Sequence, residues 1–381
     1  MAVERFDAIV LGLGGMGSAA LYHLAQRGVK VCGVERHGVA HDRGSSHGEA
    51  RVIRRAYYEH PDYVPLLNRA YDLWHEAERA SERQLLVECG VLMAGPIGGE
   101  SMAGLEACYN AHDLPHERIS GEEACARYPQ FRLEQNTEAF FDPHGGYLHV
   151  ERCVEQHIEL AERHGAQAYI HEEARAWRAD DSGVSVTTEH RELQADRLII
   201  CAGAWAEDAL ADLKLPLRIL RKVQLWYSSL NIEVFERDRF PVFFVEKPYG
   251  CFYGFPAFTP EGLKIAEHTG GFPVSDPDAL DRALYPEDEQ GIRRFLQETI
   301  PGFQPTRTQF SVCMYTSTTD EHFILDQHPA YPNVALAAGF SGHGFKFASV
   351  VGEVLADLAQ HGDTQHPIDF LRLNRFSEVG A

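Results

Sequence analysis

The chain predicts an α/β fold in which a dinucleotide-binding domain is interleaved with a second domain on an antiparallel or mixed β-sheet. Three observations carry this reading. An apolar run near the N-terminus enters a glycine fingerprint; a second buried run, Arg197 to Cys201, enters another glycine turn far downstream; and the segments Ile219 to Tyr227 and Pro241 to Phe255 are rich in aromatic and β-branched residues with turn residues between them.

The first element is the strand Ala8-Ile9-Val10-Leu11, followed by Gly12-Leu13-Gly14-Gly15-Met16-Gly17 and a helix beginning near Ser18. Gly12, Gly14 and Gly17 stand at the spacing that allows a tight turn, close approach of backbone to a pyrophosphate and packing of helix on strand. The free N–H groups and positive dipole of the helix N-terminus then face the phosphates. A second strand, Val29 to Val34, ends in Glu35, 18 residues after Gly17, about where an acid meets a ribose hydroxyl and repels a phosphorylated ribose. Without that strand, helix and acid, the glycines would describe only a tight turn.

Further along, Leu66, Leu67, Ala70 and Trp74 recur at helical spacing between Tyr63 and Ala80, a core-facing stripe. A helix over Val150 to Arg163 precedes strands near Ala168–His171 and Val184–Thr188. Asp196 to Trp205 then returns the chain to the dinucleotide-binding domain. The last helix, Phe347 to Ala359, places Val350, Val351, Val354, Leu355 and Leu358 on one apolar face.

At 381 residues and 44% hydrophobic content the chain supports a sizeable core and about two domains. Its formal charge of −21 disfavours nucleic-acid binding through a basic surface. No apolar stretch approaches the roughly 20 residues that span a bilayer, and Met1 to Arg5 runs into the first strand without a signal-peptide pattern, so a cytoplasmic location without membrane attachment is expected. Eight cysteines, without CxxC, indicate neither a metal site nor a disulfide framework.

Specific chemistry is carried by several motifs: Gly44 to Tyr57 (Gly-Ser-Ser-His-Gly-Glu-Ala-Arg-Val-Ile-Arg-Arg-Ala-Tyr), Tyr253-Gly254-Phe255-Pro256, Gly262-Leu263-Lys264, His268-Thr269, Cys313-Met314-Tyr315-Thr316, Asp320 to Phe323 and Gly339 to Lys346. Over nearly its full length the chain resembles the monomeric sarcosine oxidase family, which includes N-methyltryptophan and pipecolate oxidases. The resemblance implies a Rossmann-like FAD-binding domain (1–90, 145–215 and 310–381) paired with a substrate domain (91–144 and 216–309). It further implies oxidation of a secondary amino acid, sarcosine first, by O2 with release of hydrogen peroxide, and a monomer as the family default.

Residue by residue, the resemblance implies that Cys313 holds FAD through a thioether, whereas the local sequence alone reads as a small buried hydrophobe. Arg54 and Lys346 are implied to grip the substrate carboxylate, a planar fork beside a point charge; unaided, Arg54 reads as a solvated or phosphate-facing charge. Arg51 and His47 are implied to lie by the flavin ring with positive charge, and Tyr253, His268 and Tyr315 to line the pocket, where core aromatics and a satisfied histidine are the alternatives. Lys264, by itself an ordinary edge lysine, is implied to promote the reaction with oxygen. Gly342 and Gly344 belong to the cofactor loop. Ser45-Ser46 before His47 departs toward pipecolate-oxidase-like members, and residues 91–145 with a loop around Phe240–Lys247 are expected to shape specificity. An amine dehydrogenase that passes electrons to a carrier is the other function compatible with these residues.

Overall fold

The structure, a computed structural model, describes residues 3–376; Met1, Ala2 and the last five residues of the segment 310–381 lie outside the described residues. Among the described residues the strands form four sheets. The sheet that organises the N-terminal fingerprint has six strands in the order Gln167–Ile170, Val31–Glu35, Ala8–Leu11, Arg197–Ile200, Tyr331–Ala338 and Ile324–His328, parallel except for the last pair.

Alternation along its strands explains how the layers form, because successive side chains point to opposite faces. Ala8 and Val10 pack with the helices Gly15–Gln26, Tyr63–Ser81, Val150–Arg163 and Ala348–His361. Ile9 and Leu11 face the other way, onto Val184, Val186 and Leu193 of a four-stranded sheet. With both faces covered, Ala8–Leu11 is apolar throughout, as buried parallel strands tend to be. The expected stripe Leu66, Leu67, Ala70 and Trp74 is buried, as is the whole apolar face of the last helix.

The second large sheet has nine strands and is mixed. Leu217–Ser228 lies within it, pairing antiparallel with Leu263–Glu267 on one side and with Thr306–Thr318 on the other. Around Phe240–Lys247 a strand stands where a loop was expected: Val242–Lys247 is internal to the sheet and parallel to Val91–Pro96, because Val242 to Val245 are buried on both faces. Phe243 and Val245 pack towards the helix Pro286–Thr299, whereas Val242 and Phe244 pack with Met93, Phe140 and the helix Glu100–Ala111.

Between these two bodies lies a three-stranded sheet of Ala50–Ile53, Gly146–His149 and Leu86–Glu88. Ala50 packs into the core on the nine-stranded side and Ile53 into the core beneath the helices. This short strand thereby carries Arg51 and Arg54 to the seam. Cys313 reaches the seam from the other direction: its strand pairs along its length with Leu217–Ser228, with Cys313 opposite Lys222.

Candidate active site

A single cavity of about 680 Å³ runs along that seam, from Gly12, Gly14 and Glu35 at one end to Arg54 and Lys346 at the other, with Arg51, Tyr253, His268, Cys313, Tyr315, Gly342 and Gly344 on its walls. Three residues expected at the site do not line it. Gly17 is beneath the turn, where a Cβ would sit 1.8 Å from the Gly12 carbonyl oxygen, so its glycine serves helix-on-strand packing. His47 and Lys264 lie behind the wall.

The nucleotide end is built by the fingerprint itself. Gly12 has φ +83° and a Cβ there would meet the Cys201 carbonyl oxygen at 2.4 Å, a conformation and a space that only glycine accepts. The following helix has no acidic residue in its first turn, leaving its dipole unopposed for a phosphate. Glu35 accepts from the N–H groups of Leu13 (2.8 Å) and His37 (2.8 Å). Burial pushes its carboxyl up, but hydrogen bonds from His41, His37 and Leu13 outweigh that and hold it below the usual range.

The loop before strand Ala50–Ile53 ties this end to the cysteine. Ser46 Oγ accepts from Gly15 N–H (3.1 Å) and Ser45 Oγ donates to the Met314 carbonyl (2.8 Å). Arg51 Nη2 donates to the Ser45 carbonyl (2.9 Å) and lies 3.8 Å from Cys313 Sγ. The sulfur belongs to a residue that is 2% exposed, and a guanidinium lies beside it.

His47 departs from the expected positive charge. Its Nδ1 meets Ser311 Oγ at 3.2 Å and its Nε2 has no hydrogen-bond partner among the described residues. Burial first, then Arg51 and Lys264, push its pKa down to about 3, so the ring is neutral. Lys264 is not an edge lysine: it is wholly buried on strand Leu263–Glu267 and donates to the carbonyls of Gly48 (2.5 Å) and Ala50 (2.8 Å), between the rings of Trp226 and Phe255. Burial and Arg51 lower its pKa well below that of a free lysine.

At the far end Arg54 Nη2 pairs with Glu59 (3.1 Å) and its Nη1 donates to the Ala56 carbonyl. Lys346 Nζ donates to the His343 carbonyl (2.7 Å) and lies 3.4 Å from the Tyr57 hydroxyl. Burial raises Glu59, but Arg54 and Lys346 outweigh it and bring its carboxyl down to about 2. Lys346 is brought down to about 7 by burial and then by Arg54, against Glu59. The wall between cations and cysteine is aromatic: His268 stands 5.7 Å from the Tyr315 ring and 6.4 Å from Tyr253. Burial, then Lys222, takes His268 down to about 4, leaving a neutral ring.

The model of the family described as "FAD dependent oxidoreductase" matches residues 7–358. The chain belongs to the FAD-dependent oxidoreductase family. Among curated relatives of this FAD-dependent oxidoreductase, a monomeric sarcosine oxidase of Bacillus sp. (strain NS-129) is 42% identical over 377 residues, covering 97% of each chain. An N-methyl-L-tryptophan oxidase of Escherichia coli (strain K12) is 36% identical, covering 98% of this chain and all of that one. Among solved structures, L-proline dehydrogenase from P. horikoshii superposes with a TM-score of 0.86 at 21% identity, covering 99% of each chain, a likeness of fold. The long seam cavity, the acid-free helix start and the three glycines fit FAD, whose pyrophosphate would meet Gly12 to Gly15 and whose ribose would meet Glu35.

Several lining residues escape sequence reasoning. Glu59 lines the cavity, and Trp177 and Trp205 flank its nucleotide end, whereas Phe244, which also lines it, lies in the segment expected to shape specificity. Glu59 is an acid five residues after Arg54 in an unremarkable stretch; no local signal marks it, because its role depends on the turn that folds it back.

Proposed function

We propose that this FAD-dependent oxidoreductase oxidises a secondary amino acid, sarcosine or a related N-methyl amino acid, with O2 as acceptor and hydrogen peroxide as product, and that it works as a monomer. The observation that carries the reading is one cavity in which a nucleotide-binding turn, a guanidinium-flanked cysteine and a buried Arg–Lys pair are joined by an aromatic wall. The relatives named sarcosine oxidase and N-methyl-L-tryptophan oxidase support the substrate class.

Arg54 and Lys346 bind the substrate carboxylate, with Arg54 exchanging its Glu59 partner for the ligand. Tyr253, His268 and Tyr315 hold the amine carbon against apolar surface, and their neutral state removes any competing cation from that wall. The substrate nitrogen must be uncharged at the reacting stage, since an ammonium has no lone pair to support the carbon losing its hydrogen. FAD, when bound, supplies the two-electron acceptor that O2 restores. Cys313 is the residue assigned to a thioether with the flavin, and Arg51 Nη2 stands 3.8 Å from its sulfur. Lys264 is assigned to the oxygen reaction; its charged form is opposed by burial and Arg51 and favoured by Glu151 and Glu49. Among the described residues, segments 3–90, 145–215 and 319–376 belong to the cofactor domain and 91–144 and 216–318 to the substrate domain, the boundary expected at 310 moving to the end of strand Thr306–Thr318, which pairs along its length with Leu217–Ser228.

The test is anaerobic bleaching of the purified yellow enzyme with sarcosine, other N-methyl amino acids, proline and pipecolate, followed by air. Bleaching by an N-methyl amino acid and rapid recovery of colour with peroxide formation are expected. Failure of every amine to bleach refutes the reading, and slow recovery in air assigns the enzyme to electron carriers instead of oxygen.

A further inference from the structure

The loop histidine between Gly342 and Gly344 takes no part in the chemistry above, yet it is buried at the back of the carboxylate cradle. His343 Nε2 lies 3.0 Å from the Glu321 carbonyl oxygen and its Nδ1 lies 2.5 Å from the Tyr57 hydroxyl. A carbonyl only accepts, so Nε2 carries the ring proton. The ring is neutral, since burial pushes its pKa down to about 3, so Nδ1 is a bare acceptor. Tyr57 must therefore donate its hydroxyl proton to Nδ1, and its oxygen is left facing Lys346 Nζ at 3.4 Å as an acceptor alone. These directions follow from the Glu321 carbonyl and the neutral ring together, with Nδ1 at 2.5 Å the nearer acceptor for the Tyr57 proton than the His343 carbonyl at 3.3 Å.

We propose that Tyr57 and His343 are positioning residues that keep the Lys346 ammonium charged and fixed toward the substrate carboxylate. A lysine ammonium has three donors. One goes to the His343 carbonyl at 2.7 Å and one to the Tyr57 oxygen, so one remains for a ligand in the cavity that Lys346 lines. A phenol free to rotate would donate to the neutral amine and stabilise it; a phenol whose proton is committed to His343 offers only an acceptor, which favours the charged form over the neutral one. The assembly is rigid as well as directional. Tyr57 packs against the rings of Tyr63 and Phe347, His343 against Phe323, and Trp74 Nε1 donates to the Lys346 carbonyl at 3.0 Å. The charged and titratable groups facing Lys346 are Arg54, Tyr57 and Glu59 from the segment after strand Ala50–Ile53, His343 from its own loop, Tyr63 from helix Tyr63–Ser81 and His268 from the turn after strand Leu263–Glu267. Of these Arg54 opposes the charge and Glu59 supports it, and neither changes in the variants below.

This inference rests on the reading of Arg54 and Lys346 as the carboxylate site. The test is calorimetric titration of the FAD-loaded enzyme with methoxyacetate, a carboxylate with no oxidisable amine, from pH 6 to pH 9, in the parent, Tyr57→Phe and His343→Gln. The parent binds, and its affinity falls as pH rises and Lys346 loses its proton. Tyr57→Phe is expected to bind about tenfold or more weakly at pH 8, as loss of a hydrogen bond to a charged group predicts, with the alkaline fall-off displaced to lower pH; His343→Gln, which loosens the hold on the Tyr57 proton but keeps both acceptors of Lys346, is expected to shift the same way by a smaller, still resolved factor. With the oxidisable substrate KM rises while the limiting bleaching rate stays within about threefold. His343→Gln keeps a donor for the Glu321 carbonyl and so serves if Tyr57→Phe folds poorly. If the parent itself does not bind methoxyacetate, the carboxylate reading fails; if the parent binds and either folded variant matches its affinity and pH profile, the positioning role fails.

Discussion

Replacing Gly342 by alanine drives a methyl group into the aromatic wall. A Cβ at this position would lie 2.2, 2.3 and 2.7 Å from three carbon atoms of the Tyr315 ring, where ordinary carbon contacts are about 3.5–4.0 Å. The ring must retreat by more than 1 Å, roughly the difference between those contacts, into a neighbourhood packed by His268 and the Lys222 ammonium. The backbone adds its own cost, since φ +77° is left-handed and disfavours a side chain by about 1–2 kcal/mol. With overpacking of about 1–3 kcal/mol, the total is about 2–5 kcal/mol. That corresponds to a fall in Tm of roughly 3–6 °C for a chain of this size, accompanied by a raised KM because Tyr315 leaves the pocket wall. Differential scanning calorimetry with the flavin bound reads the first effect and anaerobic bleaching the second. Gly302→Ala, where nothing lies within 4 Å and φ is unremarkable, is the matched control. A Gly342→Ala enzyme that melts with the control and keeps its KM refutes the placement of Tyr315 against the loop.

Cys313→Ser is expected to bind FAD but release it on acid precipitation, whereas the parent pellet stays yellow; equal retention removes the thioether assignment. Lys264→Met removes one donor from the Gly48 and Ala50 carbonyls, which keep the Ala50 N–H (2.8 Å) and Arg51 Nη1 (3.0 Å), and slows recovery of the bleached flavin in air by about tenfold or more, read by stopped-flow absorbance with anaerobic bleaching as the control. Glu59→Gln removes the carboxylate that competes with substrate for Arg54, so KM at pH 6.5 falls about threefold to tenfold; because Glu59 also supports the Lys346 charge, that gain fades as pH rises, and an unchanged KM would show that Arg54 is not vacated by ligand. Acid stability follows from the buried histidines His23 and His157, brought by burial to about 4 and about 3. Each folded-state pKa lies below the unfolded value of about 6.5, so the unfolded state binds more protons and stability is lost as pH falls from there. Each contributes about 1–2 kcal/mol of loss by pH 5, checked as a steepening fall in Tm that His157→Gln makes shallower.

Elements whose signal is local were legible in the chain. The fingerprint strand and helix, the stripe Leu66, Leu67, Ala70 and Trp74, and the helix Val150–Arg163 stand where periodicity puts them, because each is set by which residues recur at 3.6 or 2 positions. Pro241 to Phe255 was legible as strands, but the central place of Val242–Lys247 and its parallel partner were not, since an apolar run between turn residues does not reveal whether both faces will be covered. The charge on His47 was likewise hidden: imidazole becomes cationic or neutral according to desolvation and neighbouring charges, and Arg51 and Lys264 reach it only through folding.

By itself, then, the sequence determined the dinucleotide-binding turn, the helices that cover its sheet and the types of group available for flavin chemistry, since glycine spacing and side-chain period are properties of consecutive residues. Tertiary structure alone decided that Arg51 stands beside Cys313, that Glu59 holds Arg54, and that Tyr57 gives its proton to His343 and its oxygen to Lys346. Those pairings join residues up to 289 positions apart, and their energies depend on distance and burial, which no local pattern records.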